Sequence, residues 1–471
     1  MKEINWLQEV EERKEALLED TKSLLQIKSV LDEENPTPDA PLGEGVKEAL
    51  QFMLNIGEKD GFTTKNVGNL AGHLEFGKGE ESVGILCHVD VVPEGDGWTS
   101  DPYGADIRDG KIFARGAIDD KGPTMAAYYA MKIVKELGLP INKRVRMIIG
   151  TDEESNWRCV DHYFKHEEMP TMGFAPDADF PIINAEKGIC DIVIVQSRTR
   201  ESNTDTRNKV VHFESGRRFN MVPDYAKVSL VTADNETVIV QMFEDFLKEQ
   251  DLKGKYHIDG GELILEVEGV SAHGMEPNNG VNAGLFLGLF LSKLNIDEFA
   301  TDYFKFVTQY FLYDSRGKKL GIAYEDAISG DLTINVGKLS FHHEKGGTVG
   351  INLRYPVTTN VDKMKDTLHT VVNESGFTIE SFSNSAPHHV DENEFLITTL
   401  QKVYEEQTGE RAELLAIGGG TYARSLKAGV AFGPLFPGRP DCAHQKDEYM
   451  IIDDLVKATA IYAQAIYELA K

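Results

Sequence analysis

Residues 86–98 read LCHVDVVPEGDGW: an apolar run that opens at Val83 stops on a histidine, an aspartate and a Gly/Pro-rich turn. The run VGILCHVDVV is unbroken, as expected of a strand covered on both faces within a parallel sheet. Successive side chains of a strand point to opposite faces, so His88 and Asp90 share one face at the strand's C-terminal end. An imidazole with a carboxylate beside it is how a metal ligand and its orienting partner are arranged. It is equally an ordinary polar strand end, and the rest of the chain has to separate the two readings.

Working outward, the same pattern returns. The segment GKIFARGAIDDKGP leads into a helix that Pro123 can open and Gly138 can close. KRVRMIIG is another apolar strand, and it runs into TDEESNW; MGFAPDADFP is a third. Strand, helix and strand with polar residues at the strand ends is the doubly wound α/β pattern, in which sites form outside the carboxyl ends of the strands. Upstream, residues 5–28 have helical apolar spacing, and EGVKEALQFMLNIGEKDG is a second helix stopped by Gly61.

The character changes after Gly188. DIVIVQSRTR, KVVHFESGRRFNMVPDYAKVSLV, GELILEVEGVSAHG and GDLTINVGKLSFHHEKGGTVGINLRYPV alternate apolar and polar residues, as half-buried antiparallel strands do. Helical stretches are expected near Thr237–Glu249 and Asn282–Leu294, and helices return in EFLITTLQKVYEEQTG and the closing DDLVKATAIYAQAIYELAK. The fold class expected is α/β: a domain with a mostly parallel sheet and flanking helices (residues 1–187 and 384–471), interrupted by a large α+β insertion (188–383).

The 471 residues carry 49 Lys+Arg against 77 Asp+Glu, a net charge of -28. That balance argues against nucleic acid or an anionic membrane as partner. The charged N-terminal stretch has no apolar core of a signal peptide, and AGLFLGLFLSKL from Ala283 is too short to span a bilayer. Cys87, Cys159, Cys190 and Cys442 form no CxxC motif, so free thiols in a reducing cytoplasm are the simplest account.

The polar residues at these strand ends form a set: His88 and Asp90, Asp119 and Asp120, Glu153 and Glu154, Asp177, and His444 near the C-terminus. Two imidazoles and three carboxylates can hold two zinc-like ions, with one carboxylate bridging. HVDVVPEGDGW, ARGAIDDKGP, GTDEESNW, FAPDADFPIINAEKG, GVSAHGMEP and AIGGGTYAR, in that order, resemble the zinc aminoacylase and carboxypeptidase superfamily of metallopeptidases. That superfamily includes acetylornithine deacetylases and succinyl-diaminopimelate desuccinylases, and the similarity is greatest to its bacterial PepV-type dipeptidase branch.

The resemblance implies His88 and Asp177 on one metal, Glu154 and His444 on the other, and Asp119 bridging. It makes Asp90 the carboxylate that fixes the His88 imidazole, Glu153 the general base acting on a metal-bridged water, and Asp119–Asp120 a cis peptide. From the insertion it implies His273 as the group that polarises the carbonyl, with Asn220 beside the oxyanion and Arg354 as a clamp on the substrate carboxylate. Read alone, His273 is also a turn cap and Arg354 a solvated strand residue. Gly419, Gly420 and Thr421 become a cradle for a free C-terminal carboxylate; by themselves they are also a plain flexible turn, and no Gly-Lys-Ser/Thr follows them. The pairs His342–His343 and His388–His389 are read as surface or loop residues, because strand neighbours face opposite ways.

The activity implied is a dinuclear-metal dipeptidase of short unblocked peptides, β-Ala-His-type Xaa-His included, with zinc as the metal and manganese or cobalt as substitutes. An N-acyl amino acid deacylase is the enzymatic alternative and a non-catalytic peptide-binding protein the other. The resemblance makes the insertion a lid domain on the catalytic domain, and the long lid implies a monomer whose own insertion supplies His273 and Asn220.

Overall fold

The computed structural model describes residues 4–197, 207–233 and 235–471, and the chain divides into two compact units. The first comprises Met1–Ala185, His389–Leu415 and Gly420–Lys471; the second comprises Glu186–His388 and Ala416–Gly419.

In the first unit, helices α1 (Trp6–Glu11), α2 (Lys14–Leu25) and α3 (Glu44–Lys59) precede strands β1 (Thr63–Val67), β2 (Ala71–Phe76) and β3 (Ser82–His88). The opening helix is not continuous. Arg13 leaves helical geometry at φ -114°, ψ 4°, and its guanidinium hydrogen-bonds the Glu9 carbonyl at 2.7 Å and Glu136 at 2.9 Å. Short strands β4 (Asp106–Arg108) and β5 (Lys111–Phe113) follow, then α4 (Lys121–Glu136), β6 (Arg144–Gly150), α5 (Arg158–His166) and β7 (Met172–Ala175).

The main sheet runs β1-β2-β6-β3-β7 and continues through Gly429–Ala431 to Ile182–Glu186. Its centre is parallel: β6, β3, β7 and Gly429–Ala431 pair in one direction. Its flanks are antiparallel, which narrows the mostly parallel sheet expected. The connection between β1 and β2 is a short hairpin, and a hairpin can join only antiparallel neighbours. All seven residues of β3 are buried, as its unbroken apolar run requires. Fully burying side chains such as Val83, Ile85 and Leu86 contributes about 1.5–3 kcal/mol each. Helix α4 packs on the C-terminal helix Ile452–Ala470, and both helices are alanine-rich and buried along most of their length.

The second unit is built on an antiparallel sheet. Its order is Lys253–Asp259, Glu262–Glu268, Tyr225–Thr232, Asn208–Ser215, Thr333–His342, Gly346–Tyr355, Gly188–Gln196 and Phe377–Phe382. Helices Glu236–Glu249, Ala283–Leu291, Glu298–Phe311 and Val361–Glu374 share one apolar core with it. The AGLFLGLFL run is therefore a core helix, buried at seven of its nine positions. No helix among the described residues is long and apolar enough to cross a membrane.

Candidate metal centre

Three ligand-type groups stand where the parallel strands of the first unit end. His88 closes β3, Glu153 and Glu154 follow β6, and Asp177 follows β7. Asp119 does not stand at the end of a strand of this sheet. It sits in the loop between β5 and α4, and β5 belongs to a small separate sheet with β4 and Tyr449–Ile451. His444 precedes that last strand in a loop where it takes a positive φ of 62°.

The structure collects these residues into two trios of ligand spacing. His88, Glu153 and Asp177 form one; Asp119, Glu154 and His444 form the other, each with its donor atoms within 4.8 Å of one another. The Asp119 carboxylate reaches both imidazoles, with Oδ1 3.2 Å from His88 Nε2 and Oδ2 3.0 Å from His444 Nε2. Glu154 Oε1 lies 3.0 Å from the same His444 nitrogen, and Asp177 Oδ2 lies 3.6 Å from His88 Nε2. Glu153, expected beside the ligands, is thus within donor distance of His88 and Asp177 itself. The Asp119–Asp120 peptide is cis.

Backbone contacts hold the arrangement. Asp120 Oδ2 accepts from the His88 N–H at 3.1 Å and from Thr124 Oγ1 at 3.1 Å, joining the end of β3 to the start of α4. The orienting partner of His88 is less simple than a carboxylate. Its Nδ1 is 3.0 Å from the Asp90 backbone carbonyl and 3.4 Å from Asp90 Oδ1, while Asp90 Oδ2 accepts from the Glu154 N–H at 3.1 Å. Asp90 therefore supports one residue of each trio.

Electrostatics follow from burying so many acids together. Burial, reinforced by the charges of Asp177, Glu154 and Asp119, drives the Glu153 carboxyl well above its ordinary range. Burial and Asp119 raise Glu154 to about 7. Burial opposes ionisation of Asp119 too, but the adjoining imidazoles of His444 and His88 overcome it and hold the group low. Hydrogen bonds to Asp119 and Glu154 lift His444 to about 11. Such a site gains from a cation at its centre. The buried Nε2 of His88 makes no hydrogen bond within the protein, which fits a metal-donor atom. Imidazole and carboxylate donors suit zinc, manganese or cobalt.

In the second unit, Asn220 and His273 lie side by side. The Asn220 carbonyl accepts from the Gly274 N–H at 2.7 Å, and Met221 bridges to His273. His273 Nδ1 accepts the Met275 N–H at 3.2 Å, so the turn-capping role open from sequence is filled by one ring nitrogen while Nε2 remains available. Burial and the nearby Arg354 cation lower the pKa of His273. Arg354 is not the solvated strand residue its pattern permits: it is 5% exposed, with Nε on Asn352 Oδ1 at 2.7 Å and Nη1 on the Gly418 carbonyl at 2.9 Å. In the first unit, Thr421 caps the short helix Tyr422–Ser425 that follows the glycines, its Oγ1 accepting from the Ala423 N–H at 3.3 Å. Neither His342–His343 nor His388–His389 joins a ligand group among the described residues. Cys87, Cys159 and Cys190 are buried free thiols and Cys442 is half-buried.

Three groups in the first unit escaped the sequence reading. Tyr422 sets its ring edge-on to His88 at 5.9 Å. Arg115 and Glu448 form a buried ion pair behind Asp119. The only trace of the pair in the sequence is its position inside ARGAIDDKG and four residues after His444.

The chain is similar to known proteins over almost its whole length. The model of Peptidase family M20/M25/M40 matches residues 84–468. A Bacillus subtilis (strain 168) protein named "Putative dipeptidase YtjP" is 58% identical over 468 residues, covering 99% of this chain and 100% of its own. A Staphylococcus epidermidis protein named "Putative dipeptidase" is 48% identical over 464 residues, covering 98% and 99%. Among solved structures, human carnosine dipeptidase 1 superposes with TM-score 0.56 at 13% identity over 98% of both chains. The aminoacylhistidine dipeptidase of Vibrio alginolyticus does so with TM-score 0.57 at 14% identity over 97% of both. At those identities the structural likeness speaks for the fold. With the family model spanning both trios and relatives aligned end to end, the chain belongs to Peptidase family M20/M25/M40.

Proposed function

We propose that this protein is a dinuclear-metal dipeptidase acting on short unblocked peptides. The observation that carries the reading is the pair of His/carboxylate trios that meet at Asp119, in a chain whose near relatives bear the name "Putative dipeptidase". His88 and Asp177 would hold one divalent cation, Glu154 and His444 the other, with Asp119 shared between them. Once bound, such cations acidify a water and polarise the scissile carbonyl.

The remaining work falls to the chain's own side chains. Glu153 accepts the proton of the attacking water on a carboxylate oxygen. The hydroxide oxygen bonds to the carbonyl carbon, the C–N bond breaks, and Glu153 returns the proton to the leaving amine. Asp90 keeps the His88 ring and the Glu154 backbone in place. His273 and Asn220 are assigned to the oxyanion; Arg354, Gly419, Gly420 and Thr421 are assigned to the substrate's terminal carboxylate. The support for these is the family pattern in GVSAHG, RRFNMVPD, INLRYP and AIGGGTYAR. We assign the 188–383 insertion as the lid, the chain as a cytoplasmic monomer, zinc as the metal with manganese or cobalt as substitutes, and Xaa-His dipeptides as accepted substrates.

The test is Glu153→Ala. Turnover should fall by about 10²–10⁴-fold, the usual worth of a general base, while zinc still binds as in the parent. Unchanged turnover would remove Glu153 from the mechanism.

A further inference from the structure

Asp119 can serve both trios only if its backbone holds the carboxylate between two imidazoles that come from distant segments. Glu448 is placed to do that. Its side chain is fully buried, and Oε1 accepts the backbone N–H of Ile118 at 3.0 Å and of Asp119 itself at 3.3 Å. The other oxygen, Oε2, pairs with Arg115 Nη1, and Arg115 is 1% exposed. The second guanidinium nitrogen, Nη2, donates to the Glu94 carbonyl at 3.3 Å, in the turn that Trp98 closes through its own hydrogen bond to that carbonyl at 2.7 Å. The Glu448 backbone carbonyl accepts from Ala114 N–H at 3.1 Å.

One ion pair therefore touches three segments. These are the turn that follows His88 and Asp90, the loop that carries Asp119, and the loop that carries His444 four residues before Glu448. Neither member belongs to a trio. We propose that Arg115 and Glu448 are positioning residues of the metal centre, setting Asp119 relative to His88 and His444 through backbone hydrogen bonds. The physical case is that a buried pair of this kind adds little net stability over apolar residues of the same size, whereas outer partners of metal ligands strongly affect affinity.

This inference rests on the metal-site reading above, and zinc titration separates the two. Metal-free parent, Glu448→Gln and Arg115→Lys would be titrated with zinc against a competing chelator, with the melting temperature of each metal-free chain measured alongside. The Glu448→Gln change keeps an oxygen for the two N–H groups but loses the charge facing Arg115; the Arg115→Lys change keeps the charge but loses the fork that reaches Glu94. We expect zinc affinity to fall about 10–100-fold in each, with more loss in the zinc isotherm than the metal-free melting change accounts for. Isotherms superimposable on the parent, with only the melting temperature lowered, would make the pair a stability element and overturn the proposal. If Glu448→Gln does not fold, Arg115→Lys decides by the same criterion. Failure of the parent to bind zinc at all would instead overturn the metal-site reading itself.

Discussion

His73 offers a pH test of how the sheet is built. It lies on β2, is 5% exposed, and places Nδ1 2.8 Å from the Tyr163 hydroxyl. Burial first, and the permanent charge of Arg146 second, push its pKa down from 6.5 to about 4. The folded state thus needs the neutral ring. Above pH 6.5 neither folded nor unfolded chain binds the proton, and His73 has no pH effect. As the pH falls below 6.5 the unfolded chain takes up a proton that the folded chain refuses, so stability is lost until the folded form also protonates near pH 4. At 1.36 kcal/mol per unit the full loss is about 3 kcal/mol, of which about 2 kcal/mol accrues between pH 7.5 and 5.0. Other buried acids titrate over the same window, Glu448 among them, pushed up by burial to about 7. The difference between the parent and His73→Asn cancels them. Urea unfolding at the two pH values should show the parent losing about 2 kcal/mol more than the variant. Equal losses would refute the neutral buried histidine.

Three shorter predictions follow from the same geometry. Asp119→Ala should weaken zinc binding at both trios together, read by metal content after dialysis against a weak chelator; retention of one ion at parental affinity would show that the carboxylate serves a single trio. Gly150→Ala should destabilise by about 1–3 kcal/mol, because a Cβ there would overlap the Tyr422 hydroxyl that packs behind β6, and an unchanged urea midpoint would mean that Tyr422 can move freely. Light scattering should return the 52.4 kDa of one chain; twice that mass would contradict the monomer.

Much of the site was legible because burial and function conflict visibly in a sequence. The run before His88 has no polar residue from Val83 onward, so an imidazole and a carboxylate at its end stand out against their surroundings. The same contrast marks Glu153, Glu154 and Asp177 after β6 and β7. It fails for Asp119: β4 and β5 are three residues each and leave no periodicity to read. Arg115 and Glu448 were missed because charged residues in loops are normally solvated, and only the fold reveals that these two are buried against each other. The antiparallel flank was hidden for a related reason, since TTKNV on an exposed edge carries little apolar pattern. Helices Glu298–Phe311 and Val361–Glu374 owe their place to the core they share with distant strands. The Nδ1 partner of His88 depended on backbone geometry at Asp90, which residue spacing does not encode.

The most direct test of the account uses metal-stripped protein offered Ala-His-type dipeptides and, separately, N-acetyl and N-succinyl amino acids, as zinc or manganese is titrated back. We predict that dipeptides alone are cleaved and that the rate saturates once both trios are filled. Cleavage confined to the acylated amino acids would keep the metal centre and contradict the dipeptidase; cleavage of neither, with both metals bound, would contradict the enzyme.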